Sequence, residues 1–212
     1  MLTAQDRKAA KAEELREARE MVDVVQTGGI VVRLATNARK IEGMQDVLDN
    51  GQLSAPNQHR LEERIKETIE ETREQQELTV RLMRENYDLG PVYFIHDSTL
   101  VLLQGDAPFG YFLGDNLEID PNIDRPEDFI IARIGYTDAS TTARAEAMIL
   151  TDRELQPLPS PFPNAITFNN LGYTFNKLLA PDIAERRRLE GMIQRLQNKL
   201  KTAIADVTPE ED

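Results

Sequence analysis

The chain has 212 residues, 40% of them hydrophobic and only 6% aromatic, with no Trp and no Cys. Its net charge of −12 repels phosphate backbones and argues against bulk nucleic-acid binding. The absence of cysteine excludes disulfide frameworks, thiolate metal sites and cysteine nucleophiles, and no stretch approaches the ~20 consecutive apolar residues that span a bilayer.

The first twenty residues, MLTAQDRKAAKAEELREARE, hold no apolar run of the kind that begins a secretory signal. The protein is therefore expected to be soluble and to act where it is made. Ala, Glu, Arg and Lys favour helix here, and Leu15, Ala18, Val22 and Val25 recur at helical spacing. Thr27-Gly28-Gly29 interrupts. The run IVVRLA at 30–35 is β-branched enough for a short strand. Leu34, Ala38, Ile41, Met44 and Leu48 keep helical spacing, so the preferred reading is a helix that resumes across a glycine kink. Asn50-Gly51 closes it, with Gly51 in the position that favours a left-handed C′ residue. Ser54 is placed as the N-cap of a second helix, with Pro56 in its first turn.

That second helix is predicted over 57–86. Leu61, Ile65, Thr68, Thr72, Gln75, Thr79 and Leu82 keep heptad spacing, with a polar middle that weakens a coil but can fix its register. The short connection predicts an antiparallel hairpin. Gly90-Pro91 stops the helix. PVYFIHD, STLVLLQGD, FGYFLGDNLEID and DFIIARIGYTD then read as short strands of a small antiparallel sheet or partly open barrel, with AMILTD (147–152) as an added edge.

Pro157, Pro159, Pro161 and Pro163 alternate, so every second residue lacks an N–H and the stretch reads as an extended arm. ITFNNLGYTF follows as a strand and turn. Pro181 opens the terminal helix, in which Leu189, Ile193, Leu196, Leu200, Ala203 and Val207 are spaced four, three, four, three, four. This is a heptad stripe too narrow to be buried without partner helices. Arg186 falls on the same row, at the head of the cluster Arg186-Arg187-Arg188. Positive charge at a helix N-terminus opposes the macrodipole and hints at an acidic or phosphate partner. The expected class is α+β: a helical hairpin or coiled coil at 1–88, a small antiparallel β domain at 89–153, an extended Pro-rich arm at 154–180, and a C-terminal coiled-coil (heptad) helix with an acidic tail at 181–212.

Few residues carry chemistry. His59 reads as a solvated helix residue. His96-Asp97-Ser98 invites a triad, but neighbours in a strand point to opposite faces, so the reading is a turn capped by Asp97 and Ser98. Glu118, Asp120, Asn122 and Asp124 alternate as oxygens that suit a hard cation. Arg125 and Ile131, however, occupy the places where an EF-hand loop needs Gly and Glu, and an acidic turn is the simpler reading. Gly105, Gly110 and Gly114 form no phosphate loop. Tyr93, Phe94, Phe109, Tyr111, Phe112 and Tyr136 lack interleaved Lys or Arg and read as core, not as a stacking platform.

With no nucleophile–base pair, metal signature or phosphate loop, the expectation is a non-enzymatic structural or assembly subunit without cofactor. Its partners are expected to be further copies of itself and other structural proteins, with no nucleic acid and no membrane. The expected interface is Leu189, Ile193, Leu196, Leu200, Ala203 and Val207 with Arg186. The concrete form expected is a virion component of a tailed phage (neck, tail, fibre or head-associated), located in the virion if viral and otherwise cytoplasmic. The alternative is a cytosolic coiled-coil adaptor or cochaperone-like protein. In outline, a charged helical stalk leading into a small β domain resembles the nucleotide-exchange cochaperones of bacteria. PNID at 121–124 is similar to a barrel loop in the coil-plus-barrel front end of proteasomal ATPases, although no Walker motif follows.

Overall fold

A computed structural model describes residues 4–105, 107–137, 145–167 and 181–208. The N-terminal segment forms helix α1 (Ala4–Asp23). A π-helical turn at Val24–Gly28 ends it, with the Gly29 N–H donating to the Val24 carbonyl at 2.8 Å. Gly29 then takes φ 85°, a left-handed value open to glycine at little cost, and the chain leaves as strand β1 (Ile30–Leu34). The expected helix across the glycines is thus replaced by a strand. Three of its residues are β-branched, and Ile30, Val31 and Val32 are all buried, as a strand covered on both faces requires. Helical spacing becomes real only in α2 (Ala38–Asn50), after Asn37 at φ 52°.

Helix α3 (Ala55–Asn86) begins after Ser54 with Pro56 in its first turn, but the Ser54 side chain makes no capping bond. Gly51 is extended at φ −82° and not left-handed. Residues 51–54 join α2 to α3, yet Asn37 at the far end of α2 donates from Nδ2 to Thr72 Oγ1 at 2.8 Å; the two helices are therefore an antiparallel hairpin. The expected seam faces inward, with Ile65, Thr68, Thr72, Thr79 and Leu82 buried. Each threonine hydroxyl donates to the carbonyl four residues back, at 2.8, 2.6 and 2.7 Å, which satisfies it and lets a polar seam be buried. Gln76, not Gln75, is the buried amide, donating to the Ala35 carbonyl at 2.7 Å.

Strands β2 (Val92–His96), β3 (Ile130–Tyr136), β4 (Glu146–Thr151) and β5 (Ala165–Thr167) join β1 in one sheet of order β2-β1-β3-β4-β5. β1 is parallel to both β2 and β3, whereas β3–β4 and β4–β5 are antiparallel. The sheet is therefore mixed, and its central strand comes from residues 30–34, ahead of the helical hairpin. Parallel neighbours need long crossovers; α2 and α3 make the first, and residues 97–129 make the second. STLVLLQGD, expected as a strand, forms the short helix α4 (Leu100–Gln104). FGYFLGDNLEID contributes isolated bridges from Leu113 to Phe94 and to Ile119. β4 lies inside the sheet and not at its edge.

The two crossovers cover opposite faces. Ile30, Val32, Leu34, Ile130 and Ala132 pack with α1, α3 and the terminal helix α5 (Pro181–Val207). Val31, Ile95 and Ile131 meet Leu103, Tyr111, Phe112 and Phe129. Phe94, Tyr111 and Phe112 are core residues as expected, while Phe109 and Tyr136 are exposed. The proline stretch is anchored: Leu158 and Phe162 are buried in the helix-side core, and the Leu158 N–H donates to Asn164 Oδ1 at 2.6 Å. The remainder of the expected arm, from 168 to 180, and most of ITFNNLGYTF lie outside the described residues. Among the described residues no helix is long and apolar enough to cross a membrane.

Candidate functional site

The stripe expected to face a second chain is closed by the chain's own elements. Leu189, Ile193, Leu196 and Leu200 are fully buried, and Ala203 and Val207 are 2% and 5% exposed. All six share one core with Ala18 of α1, Leu82 and Met83 of α3 and the sheet. The helical partners that a narrow stripe demands are α1 and α3. Polar rails flank the seam: Gln197 Oε1 accepts from the Asp88 N–H at 2.9 Å, and Lys201 pairs with Asp88 at 3.1 Å. No surface of these six side chains is left for another copy.

Arg186, expected beside them, is exposed and pairs with Glu190 at 2.8 Å along its own helix. The basic cluster does have a partner, but through Arg188, which is 2% exposed and reaches Glu146 of β4 at 2.6 Å as well as Glu185. Burial works against its charge, and the two carboxylates outweigh it, so its proton is held more tightly than usual.

His59 is exposed, 3.4 Å from Glu63. His96 ends β2, and Asp97 turns away from it: Asp97 Oδ1 accepts from the Thr36 N–H at 3.1 Å and the Thr36 hydroxyl at 2.6 Å. Asp97 thus ties β2 to the exit of β1, where its own backbone was the expected partner, and no relay forms. At the acidic turn, Asp120 Oδ1 accepts from the Asn122 N–H and side-chain amide, both at 2.9 Å, while Asn116 Oδ1 accepts from the Glu118 N–H at 3.1 Å and Asn116 Nδ2 donates to Glu118 Oε2 at 2.8 Å. Among the described residues no three His, Asp or Glu side chains converge for a metal.

Two features do present unused surface. One is the α2–α3 hairpin. None of the 13 residues of α2 is buried, although Ile41, Met44 and Leu48 line its inner side. Val47 is 48% and Ile69 50% exposed. The C-terminal half of α3 is covered by α5, but α2 and the half of α3 that it lies on carry no further helix among the described residues, an incomplete bundle. Between residues 38 and 70 the hairpin carries five Lys or Arg and seven Asp or Glu, which makes it the near-neutral part of an acidic chain.

The other feature is the carboxyl end of β1 and β3. From β1 the chain crosses over to β2, and from β3 it turns back into its antiparallel neighbour β4 on the other side. A cleft of about 220 Å³ lies there, lined by Arg33, Leu34, Thr72, Gln76, Gly135 and Tyr136 among others. Arg33 is the register partner of Arg133 on β3. Sequence reasoning passed over both arginines, because nothing short of strand register brings residues one hundred positions apart together. Comparison with protein-family models, with curated proteins and with solved structures found no match to this chain.

Proposed function

We propose that the protein is a non-enzymatic assembly subunit that associates with further copies of itself through the α2–α3 hairpin. The observation that carries this reading is a whole amphipathic helix with no buried residue, set on a chain whose two longest helices, α3 and α5, each bury a row of side chains. Such a face gains by association, because each apolar Å² removed from water is worth about 25 cal/mol. A second copy is the occupant that the charges favour. Chains of net charge −12 repel one another least where the hairpin interleaves both signs, and a two-fold pairing of hairpins would complete a four-helix arrangement. By analogy of architecture the assembly is a homo-oligomeric particle, and a tailed-phage virion component is the form we favour.

The test is mass in solution, by light scattering over a concentration series. A fixed oligomer is expected, reduced to monomer by Val47→Glu or Ile69→Lys with helical content unchanged and a melting temperature that no longer rises with protein concentration. A wild-type chain that stays monomeric at high concentration would remove the proposal.

A further inference from the structure

Arg33 and Arg133 stand side by side on neighbouring parallel strands. Residue parity puts both side chains on the face of Val31 and Ile131. Their row continues with Ile95 on β2 and Ile149 on β4, which bring no charge. Like charges directly opposite on one sheet face are destabilising. Here burial, and then the charge of Arg133, pull the pKa of Arg33 below its ordinary value, with Asp97 opposing.

A fold that keeps such a pair needs a counter-charge, and the described residues do not complete one. Among them neither guanidinium makes a hydrogen bond or an ion pair, and Arg33 Nε is buried without a partner. Asp97 is the carboxylate whose charge reaches Arg33, and its Oδ1 is already engaged by Thr36. The Arg133 guanidinium lies over Gly135: its Nη1 is 2.5 Å from where a Cβ on that residue would stand.

We propose that Arg33 and Arg133 form an oxyanion site on one face of β1 and β3 that takes a phosphate group. Two planar forks match the charge and the several oxygens of a phosphate, whereas a carboxylate fills only one fork. The site is independent of the hairpin reading, because the two lie on different elements and are tested by different measurements.

The experiment titrates inorganic phosphate, and separately glycerol phosphate, into the full chain, followed by ³¹P NMR with chloride holding the ionic strength constant. Saturable binding is expected, weakened about tenfold or more in Arg33→Gln and Arg133→Gln. Arg33→Lys and Arg133→Lys keep the charge but lose the fork. They are expected to bind several-fold more weakly while melting as the wild type does, which separates loss of the site from loss of the fold. Tighter binding of the monoester assigns the phosphate to an organic ligand, and equal binding assigns it to the free ion; either result supports the site. No saturable binding of either probe, affinity unchanged in both lysine variants, or displacement by equimolar acetate would overturn it.

Discussion

Arg188 Nη1 lies 2.6 Å from Glu146 Oε1, and this contact clamps the first turns of α5 to β4. Arg188 is 2% exposed, whereas the Glu146 and Glu185 side chains that hold it are 30% and 25% exposed. Either carboxylate alone still neutralises the guanidinium. Glu146→Gln and Glu185→Gln are therefore expected to cost about 1 kcal/mol each, as partly exposed pairs do. The double variant strands a buried charge and is expected to cost about 3–5 kcal/mol. Urea unfolding of the four proteins gives the coupling directly, and strict additivity would show that the two carboxylates do not share one cation.

The leucine ridge of α5 supports a different test. Leu196 is fully buried among residues of its own chain, so Leu196→Ala is expected to cost about 2–5 kcal/mol. Because the ridge is closed within one chain, the cost should be the same at low and high protein concentration. A cost that grows with concentration would place the ridge between chains.

Periodicity is a local property, and the parts of this fold that depend on it were legible. Ile65, Thr68, Thr72, Thr79 and Leu82 could be named as the inner face of α3, and the Leu189-to-Val207 stripe as a buried one, because 3.6 residues per turn fixes which side chains share a face. The same periodicity misled at Leu34, Ala38 and Ile41, where a strand followed by a helix happened to keep helical spacing. What decides β1 is its parallel pairing with β2 and β3, and that depends on residues sixty and one hundred positions away. A heptad says that a stripe will be covered but not by which helix, so the closing partner of α5 could not be read. Nor could the Arg33–Arg133 pair, which exists only through strand register. Of the three successive arginines, heptad phase favours Arg186, but Arg188 is the one that turns inward to β4.

Gly28 sits where the π-helical turn passes against the entry to β3. A Cβ there would stand 1.9 Å from the Asp128 carbonyl oxygen, and backbone cannot swing aside as a side chain can. Gly28→Ala is expected to destabilise by about 3 kcal/mol, the upper end of overpacking costs. Gly43, inside α2 with nothing within 4 Å of its would-be Cβ, is the control: Gly43→Ala should stabilise by about 0.5–1 kcal/mol through backbone entropy. Thermal melts of both variants check the contrast, and equal effects of the same sign would refute it.

Tyr87 closes α3 with its ring in the helix-side core, 6% exposed. Among the described residues its hydroxyl has no hydrogen-bond partner. Burial, and then the charge of Asp88, push its pKa well above the ordinary value of 10.0. A buried hydroxyl left unpaired costs about 1–3 kcal/mol, so Tyr87→Phe, which keeps the ring, is expected to gain about 1 kcal/mol at neutral pH. The sign on the alkaline side follows from which state ionises first. The unfolded phenol loses its proton near pH ~10 while the folded one keeps it, so the unfolded state binds fewer protons and wild-type stability falls as pH rises through that range. Tyr87→Phe removes this share, and its stability should decline less steeply between about pH 9 and 11. Urea midpoints measured across that range decide the matter: a phenylalanine variant that is less stable at neutral pH and just as steep above pH ~10 would mean that the hydroxyl is paired in the folded chain.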